Sequence, residues 1–303
     1  MDTITEASVA LLRRDGRASF SDIARQLNTN RTNVAKRIGA LIENGDIRIV
    51  AAVHPRLLGL NVLAHVTIRS EGDVGAMSEM VCEMNSSIFV SEVAGHNQLV
   101  AELHMANMND LYNDVHYIRS IAGVLEVQVI IYERMLKSFF LGEEPQMLEL
   151  ALDSIDLHLI ELLQLDGRLG YSEMGEQVGL SISGCRTRIN RLIETGAMQI
   201  GLLRQRTEIT NELVFGFGFI ATSDQSELIE LLEGQRGLEF IARTVGRFNL
   251  VGTITFNDLL GFNDFVTEVR KLDGVRIAEQ WLHARIRKER YQNSLHLIRE
   301  TIS

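Results

Sequence analysis

The chain repeats itself. Asp15-Gly16-Arg17 returns as Asp166-Gly167-Arg168, and the same offset of 151 residues carries Ser21 onto Ser172, Gln26 onto Gln177 and Leu41-Ile42-Glu43 onto Leu192-Ile193-Glu194. Far downstream the register still holds, from Gly95 to Gly246, Leu99-Val100 to Leu250-Val251 and Gly123-Val124 to Gly274-Val275. A single offset kept over most of a chain means two copies of one unit, so the architecture has to be one that can be built twice. The 303 residues, at roughly 150 per unit, leave room for little else.

Each copy changes period halfway. Its first part has the 3.6-residue spacing of short helices. Val9, Leu11 and Leu12 open an apolar stripe, Asp15-Gly16-Arg17 interrupts it, and Ser21 is placed to cap a second helix through Ile23, Ala24 and Leu27. Asn30 is placed to cap a third, buried along Val34, Ile38, Leu41 and Ile42, which ends at Asn44-Gly45. In the second copy Ser181 is the cap, and the stripe runs Cys185, Ile189, Leu192 and Ile193. Three short helices with a tight turn before the last form a helix-turn-helix, and Ile47–Val50 and Met198–Ile200 read as the start of a short strand or wing. The second part of each copy alternates with period two, at Val62, Ala64, Val66 and Ile68 and at Leu213, Phe215, Phe217 and Phe219. Helical and extended segments then follow in the order β-α-β-β-α-β, the ferredoxin-like arrangement of an antiparallel sheet with two helices on one face. The open face needs a cover, and the obvious one is the other copy.

The fold class is therefore α+β, a tandem duplication of a winged helix-turn-helix and a ferredoxin-like βαββαβ domain. The expected boundaries are 1–50 and 153–201 for the helix-turn-helices, and 61–140 and 213–303 for the ferredoxin-like domains. Linkers are expected at 51–60, 141–152 and 202–212, with an amphipathic helix at 291–302.

The third helix of each copy carries the chemistry. Opposite the apolar stripe of the first lie Thr32, Asn33 and Lys36, flanked by Arg31 and Arg37; the second has Ser183, Gly184, Thr187 and Arg191, flanked by Arg186 and Arg188. No acid interrupts either face. Small polar groups near a helix start reach base edges while flanking cations neutralise phosphates, so these eleven residues are the candidate contacts to double-stranded DNA. An ordinary solvated face mixes signs. The net charge of −10 argues against non-specific coating of nucleic acid or of an anionic membrane, and leaves a local basic face intact.

Leu180 to Leu192 followed by Glu194-Thr195-Gly196 resembles the recognition helix of the Lrp/AsnC transcription regulators, and Asp166-Gly167-Arg168 resembles their first turn. The resemblance extends over nearly all of both copies. It implies an effector-sensing ferredoxin-like domain behind each DNA-binding domain, self-association through the sheets, and here a covalent pseudo-dimer with an asymmetric operator. In that family a Gly-Asp-Tyr-Asp loop after the sensing domain's second strand lies near the effector site. Gly95 and Gly246 match its glycine, but His96-Asn97-Gln98 and Arg247-Phe248-Asn249 lack its acids. Gly95, His96, Gln98, Arg243, Gly246, Arg247 and Asn249 are thus the candidate effector residues, for an amino acid or, given Arg243 and Arg247, an anionic metabolite.

Other motifs fail on context. Gly216-Phe217-Gly218-Phe219-Ile220-Ala221 fits a dinucleotide fingerprint, with Glu239 downstream, but sits inside a strand instead of opening a helix, so the glycines are expected to admit close packing. His96, His104 and His116 lack metal-ligand spacing, Cys82 and Cys185 lie too far apart in sequence for a metal knuckle, and no nucleophile has a recognisable setting. The expectation is a protein without metal, cofactor or catalytic residues. Asp2 and Glu6 near the start, with no apolar run of about 18 residues, point to a cytoplasmic protein with no membrane partner. The competing readings are a sirohaem decarboxylase-like enzyme, since those enzymes resemble the same family and pair two such subunits, and a scaffold without DNA binding.

Overall fold

The computed structural model describes residues 2–138, 144, 150–204, 212–222 and 224–290; the helix expected at 291–302 and most of the linkers at 141–152 and 202–212 lie outside them. The first copy runs α1 (Thr3–Arg14), α2 (Phe20–Gln26), α3 (Arg31–Glu43), β1 (Ile47–Val53), a 3₁₀ turn (Pro55–Leu58), β2 (Val62–Ser70), α4 (Val74–Glu83), β3 (Ser87–Ala94), β4 (Leu99–Met105), α5 (Met108–Ser120) and β5 (Val124–Ser138). The second repeats it as α6 (Ser154–Leu165), α7 (Tyr171–Val178), α8 (Ile182–Glu194), β6 (Met198–Arg204), β7 (Leu213–Ala221), α9 (Ser226–Glu233), β8 (Leu238–Val245), β9 (Leu250–Phe256), α10 (Leu259–Val269) and β10 (Val275–Glu289). The boundary expected at residue 50 falls inside β1, which takes Ala51–Val53 from the expected linker.

These elements form two compact units, and neither unit is one copy. The first unit holds both helix-turn-helices. The expected wings do not fold back as hairpins on their own copies; β1 and β6 pair with each other, antiparallel, with Ile47 opposite Arg204 and Val53 opposite Met198. Crossed packing continues in the helices, with α1 against β6 and α6 against β1. One core results. It joins Leu12, Val34 and Ile38 to Leu163, Cys185 and Ile189 around Ile49, Ala51, Ile200 and Leu202 of the ribbon. Two readings need correction. The second helix is capped by Ser19, whose side chain accepts from the Asp22 N–H, because the helix begins two residues earlier than expected and Ser21 lies within it. The last members of the apolar stripes, Ile42 and Ile193, are 42% and 40% exposed, so the buried faces stop short of them, at Ile38 with Leu41 half-buried on α3 and at Leu192 on α8.

The second unit is a closed barrel with strand order β10-β3-β4-β2-β5-β8-β9-β7. Each copy contributes a four-stranded sheet whose order, β3-β4-β2-β5 or β8-β9-β7-β10, is that of the ferredoxin-like pattern. The second copy therefore covers the open face of the first by edge closure, through β5 on β8 and β10 on β3, so that among the described residues the barrel has no unpaired strand. Alternation along each strand sorts the side chains. Ala64, Val66 and Ile68 pack with Met77, Val81, Leu111 and Ile118 of the helices, and the opposite face turns Leu63, His65 and Thr67 into the barrel.

Candidate nucleic-acid interface

Each recognition helix starts from a side-chain cap. Asn30 Oδ1 accepts from the Asn33 N–H at 2.8 Å, and Ser181 Oγ from the Gly184 N–H at 3.1 Å. These caps satisfy N–H groups that would otherwise be orphaned, and they fix the helix start where short side chains must stand. A Cβ on Gly184 would lie 3.4 Å from its nearest neighbour, so the glycine is not sterically required.

The eleven candidate residues divide into two sets. Arg31, Thr32 and Lys36 on α3, and Ser183, Arg186 and Thr187 on α8, are exposed. Gly184 lies between the sets as part of the α8 start. The remainder are held by neighbouring groups. Asn33 donates to Thr29 Oγ1 at 2.9 Å and accepts from Arg37 Nε at 2.8 Å, while Arg37 also reaches Asp2 and donates to Thr5 Oγ1 at 3.2 Å. Arg188 Nη1 lies 2.7 Å from Asp153 and 2.9 Å from Asp156, and Arg191 Nη2 lies 2.5 Å from Asp156. Bonding to the two carboxylates raises the affinity of Arg188 for its proton. The Asp156 N–H, ahead of Arg188, holds Asp153 below the usual carboxylate range. The reading face of each helix carries no acid of its own because the acids arrive from the N-terminal ends of α1 and α6.

The Asp-Gly-Arg repeats are a reciprocal clasp between the copies. Arg17 donates to the carbonyls of Gly167 and Leu169 at 3.0 and 3.1 Å, and Arg168 to those of Gly16 and Ala18 at 3.1 Å each. Each guanidinium also covers an aromatic ring of the other copy, Arg17 over Tyr171 and Arg168 over Phe20. The glycines let the backbones meet. Gly16 N–H donates to Ile200 O and Gly167 N–H to Ile49 O, both at 2.8 Å, and a Cβ on either glycine would lie under 3.0 Å from an isoleucine methyl. The signal was present in the sequence, since this triplet is repeated without change, but nothing local names its partner.

In the barrel unit, the candidate effector residues mostly brace the loops that carry them. Gln98 Oε1 accepts from the Ser70 N–H at 2.9 Å, and Asn249 Oδ1, at the matching position, from the Ala221 N–H at 2.7 Å. His96 is exposed, and Gly246 has a φ of +147° that favours glycine. Arg243 faces Glu133 at 3.8 Å. Arg247 bridges Gln128 and Glu279 above the Phe248 ring, and Glu279 also accepts from Asn97 at 2.7 Å. The loops lack acids in sequence, but β10 delivers one, and Glu279 answers the charge that suggested an anionic ligand. The fingerprint glycines lie within β7. A Cβ on Gly216 would fall 2.1 Å from the Trp281 indole, and one on Gly218 2.4 Å from the Phe248 ring. Among the described residues no three His, Cys, Asp or Glu side chains gather as a metal site, and no helix is long and apolar enough to cross a membrane.

Comparison with known proteins finds the AsnC-type helix-turn-helix domain twice, at residues 1–42 and 152–193, which reproduces the offset of the repeat. An uncharacterized HTH-type transcriptional regulator (PH0140) of Pyrococcus horikoshii is 26% identical over 155 residues, spanning 48% of this chain and 95% of its own length. The regulator FL11 of Pyrococcus furiosus is 25% identical over 139 residues, covering 45% of this chain and 92% of its own. Such relatives match about half of the chain, as a duplicated unit requires. Among solved structures, the siroheme decarboxylase NirDL covers 99% of this chain and 98% of its own, with a TM-score of 0.65 at 14% identity. That likeness is one of fold.

Proposed function

We propose that the chain is a sequence-specific, DNA-binding transcription regulator of Lrp/AsnC type, a cytoplasmic covalent pseudo-dimer whose two recognition helices engage unequal half-sites. One observation carries the reading: two capped recognition helices, in two matched AsnC-type domains, expose cations and hydroxyls on faces free of their own acids while sharing one core. Arg31, Lys36 and Arg186 then neutralise phosphates. Thr32, Ser183 and Thr187 stand where a helix start meets base edges, and Ile182, exposed where α3 has Arg31, suits a thymine methyl. Arg37, Arg188 and Arg191 fasten the recognition helices to α1 and α6. The ribbon and the clasps set the spacing of the two helices.

Selection of genomic fragments at about 150 mM salt tests this. The parent is expected to enrich a small set of bipartite sites, and an Arg31→Ala/Lys36→Ala variant to lose them, with about two phosphate contacts missing from its salt dependence. Enrichment that survives unchanged in the variant, or no enrichment by the parent at any salt, defeats the reading. The second reading, a sirohaem decarboxylase-like enzyme, is favoured by the fold match over the whole chain. An iron-tetrapyrrole titration followed by absorbance separates the two, because a regulator should leave the spectrum of the added pigment unchanged.

A further inference from the structure

We infer that Asp156 is a built-in counter-charge that withholds Arg191 from nucleic acid and makes the second copy the weaker half of the DNA grip. The inference rests on the proposed function and specifies how the two half-sites differ. Arg191 stands four residues after Thr187 and so continues the same helical face. By position alone it is a phosphate ligand. Its guanidinium instead bonds a carboxylate that is 1% exposed and that also holds Arg188.

The repeat supplies the control. The counterpart of Asp156 is Thr5, and that of Arg191 is Ala40. In the first copy Arg37 is met by Asp2 and by the neutral Thr5 hydroxyl, so one cation faces one anion. In the second copy Arg188 and Arg191 face Asp153 and Asp156. The first copy shows Arg31 and Lys36 on its reading face, neither with a carboxylate contact among the described residues. The second shows Arg186, with Ile182 and Thr187 at the positions of that pair. Asp156 acts as a positioning residue. Its buried carboxylate keeps the α8 guanidinium pair folded back on α6, and phosphates that approach Thr187 meet a cation already neutralised.

The test compares the full-length parent with Asp156→Asn, Arg191→Ala and Lys36→Ala on one selected duplex, by anisotropy from 50 to 300 mM salt, with thermal melts to verify folding. Asn keeps an acceptor for the Asp153 N–H but removes the charge. Asp156→Asn is expected to bind more tightly at 50 mM and to lose about fivefold more affinity across the range, as one added phosphate contact with a slope near 0.9 requires. Arg191→Ala is expected to stay within about twofold of the parent, with an unchanged salt slope. A folded Asp156→Asn protein with the parent's slope overturns the inference, as does an Arg191→Ala protein whose slope falls by about one contact. If Asp156→Asn does not fold, the Arg191→Ala slope decides. The Lys36→Ala arm isolates the premise, because parent-like binding there defeats the DNA reading itself.

Discussion

The helix-turn-helix pair and the barrel interior descend from the same duplication but have treated its symmetry in opposite ways. Around the ribbon, each contact is returned: Arg17 reaches the Gly167 loop and Arg168 the Gly16 loop, each over a ring of the other copy. Inside the barrel, matched positions hold unlike residues. His65, Thr67, Ile130 and Asn97 of the first copy correspond to Gly216, Gly218, Trp281 and Phe248 of the second. A contact across a pseudo-twofold axis is made by the same residues twice, so a change in one loop breaks a bond it also receives. A close-packed interior is constrained in total volume, so one side can shrink as the other grows. The two regions show which constraint each site obeys.

The largest effect should come from forcing symmetry on the barrel. Gly216→His installs the first copy's His65 side chain where the Trp281 indole already lies. The expected loss is about 3 kcal/mol, at the upper end for overpacking. Trp281→Ile alone, which installs the counterpart of Ile130, should cost a similar amount by leaving a cavity. Combined, they should recover at least ~1.5 kcal/mol of the summed losses in urea melts, since each relieves the other. Strict additivity would mean that the volumes do not compensate.

The clasp offers the converse test. Arg17→Ala and Arg168→Ala each remove one guanidinium that donates to two carbonyls and covers one ring, so each should cost about 2 kcal/mol. The two losses should agree within ~0.5 kcal/mol in chemical denaturation. A clear inequality would show that the reciprocity is geometric only.

What was legible in the sequence was what a segment decides for itself. Asn30 and Ser181 cap their helices as read because a cap is a bond over three residues. The β-α-β-β-α-β order and the close packing at Gly216 and Gly218 also follow from local period and residue size. Ser19 was missed because three residues of Ser-Phe-Ser offer two caps two residues apart. The acid on Arg37 comes from 35 residues away and those on Arg188 from 35 and 32, so a helix face read alone looked freer than it is. Likewise Ile47–Val50 read as extended, but only the fold shows that its partner is the other copy.

The smallest net effect follows from a pair that the barrel brings together. His65 on β2 is registered opposite Glu102 on β4, facing the interior. Burial lowers His65 to about 4; it also raises Glu102 to about 7, against the opposing bond from the Tyr132 hydroxyl and with help from Glu289. For Glu102 the folded value exceeds the unfolded 4.5, so its contribution to stability is full below pH 4.5 and is lost as pH rises to 7. For His65 the folded value lies below the unfolded 6.5, so its contribution is full above pH 6.5 and is lost as pH falls to 4. The two slopes oppose over the shared window of pH 4.5 to 6.5. Relative to the parent, Glu102→Gln should therefore gain stability with rising pH, and His65→Gln should lose it, each by at most about 1.4 kcal/mol per pH unit. The double variant should run parallel to the parent. Melts in a constant-ionic-strength buffer series measure all four curves. Single variants with slopes of the same sign would show that these two side chains do not titrate as buried neighbours, and the asymmetry of the barrel would then be one of volume alone.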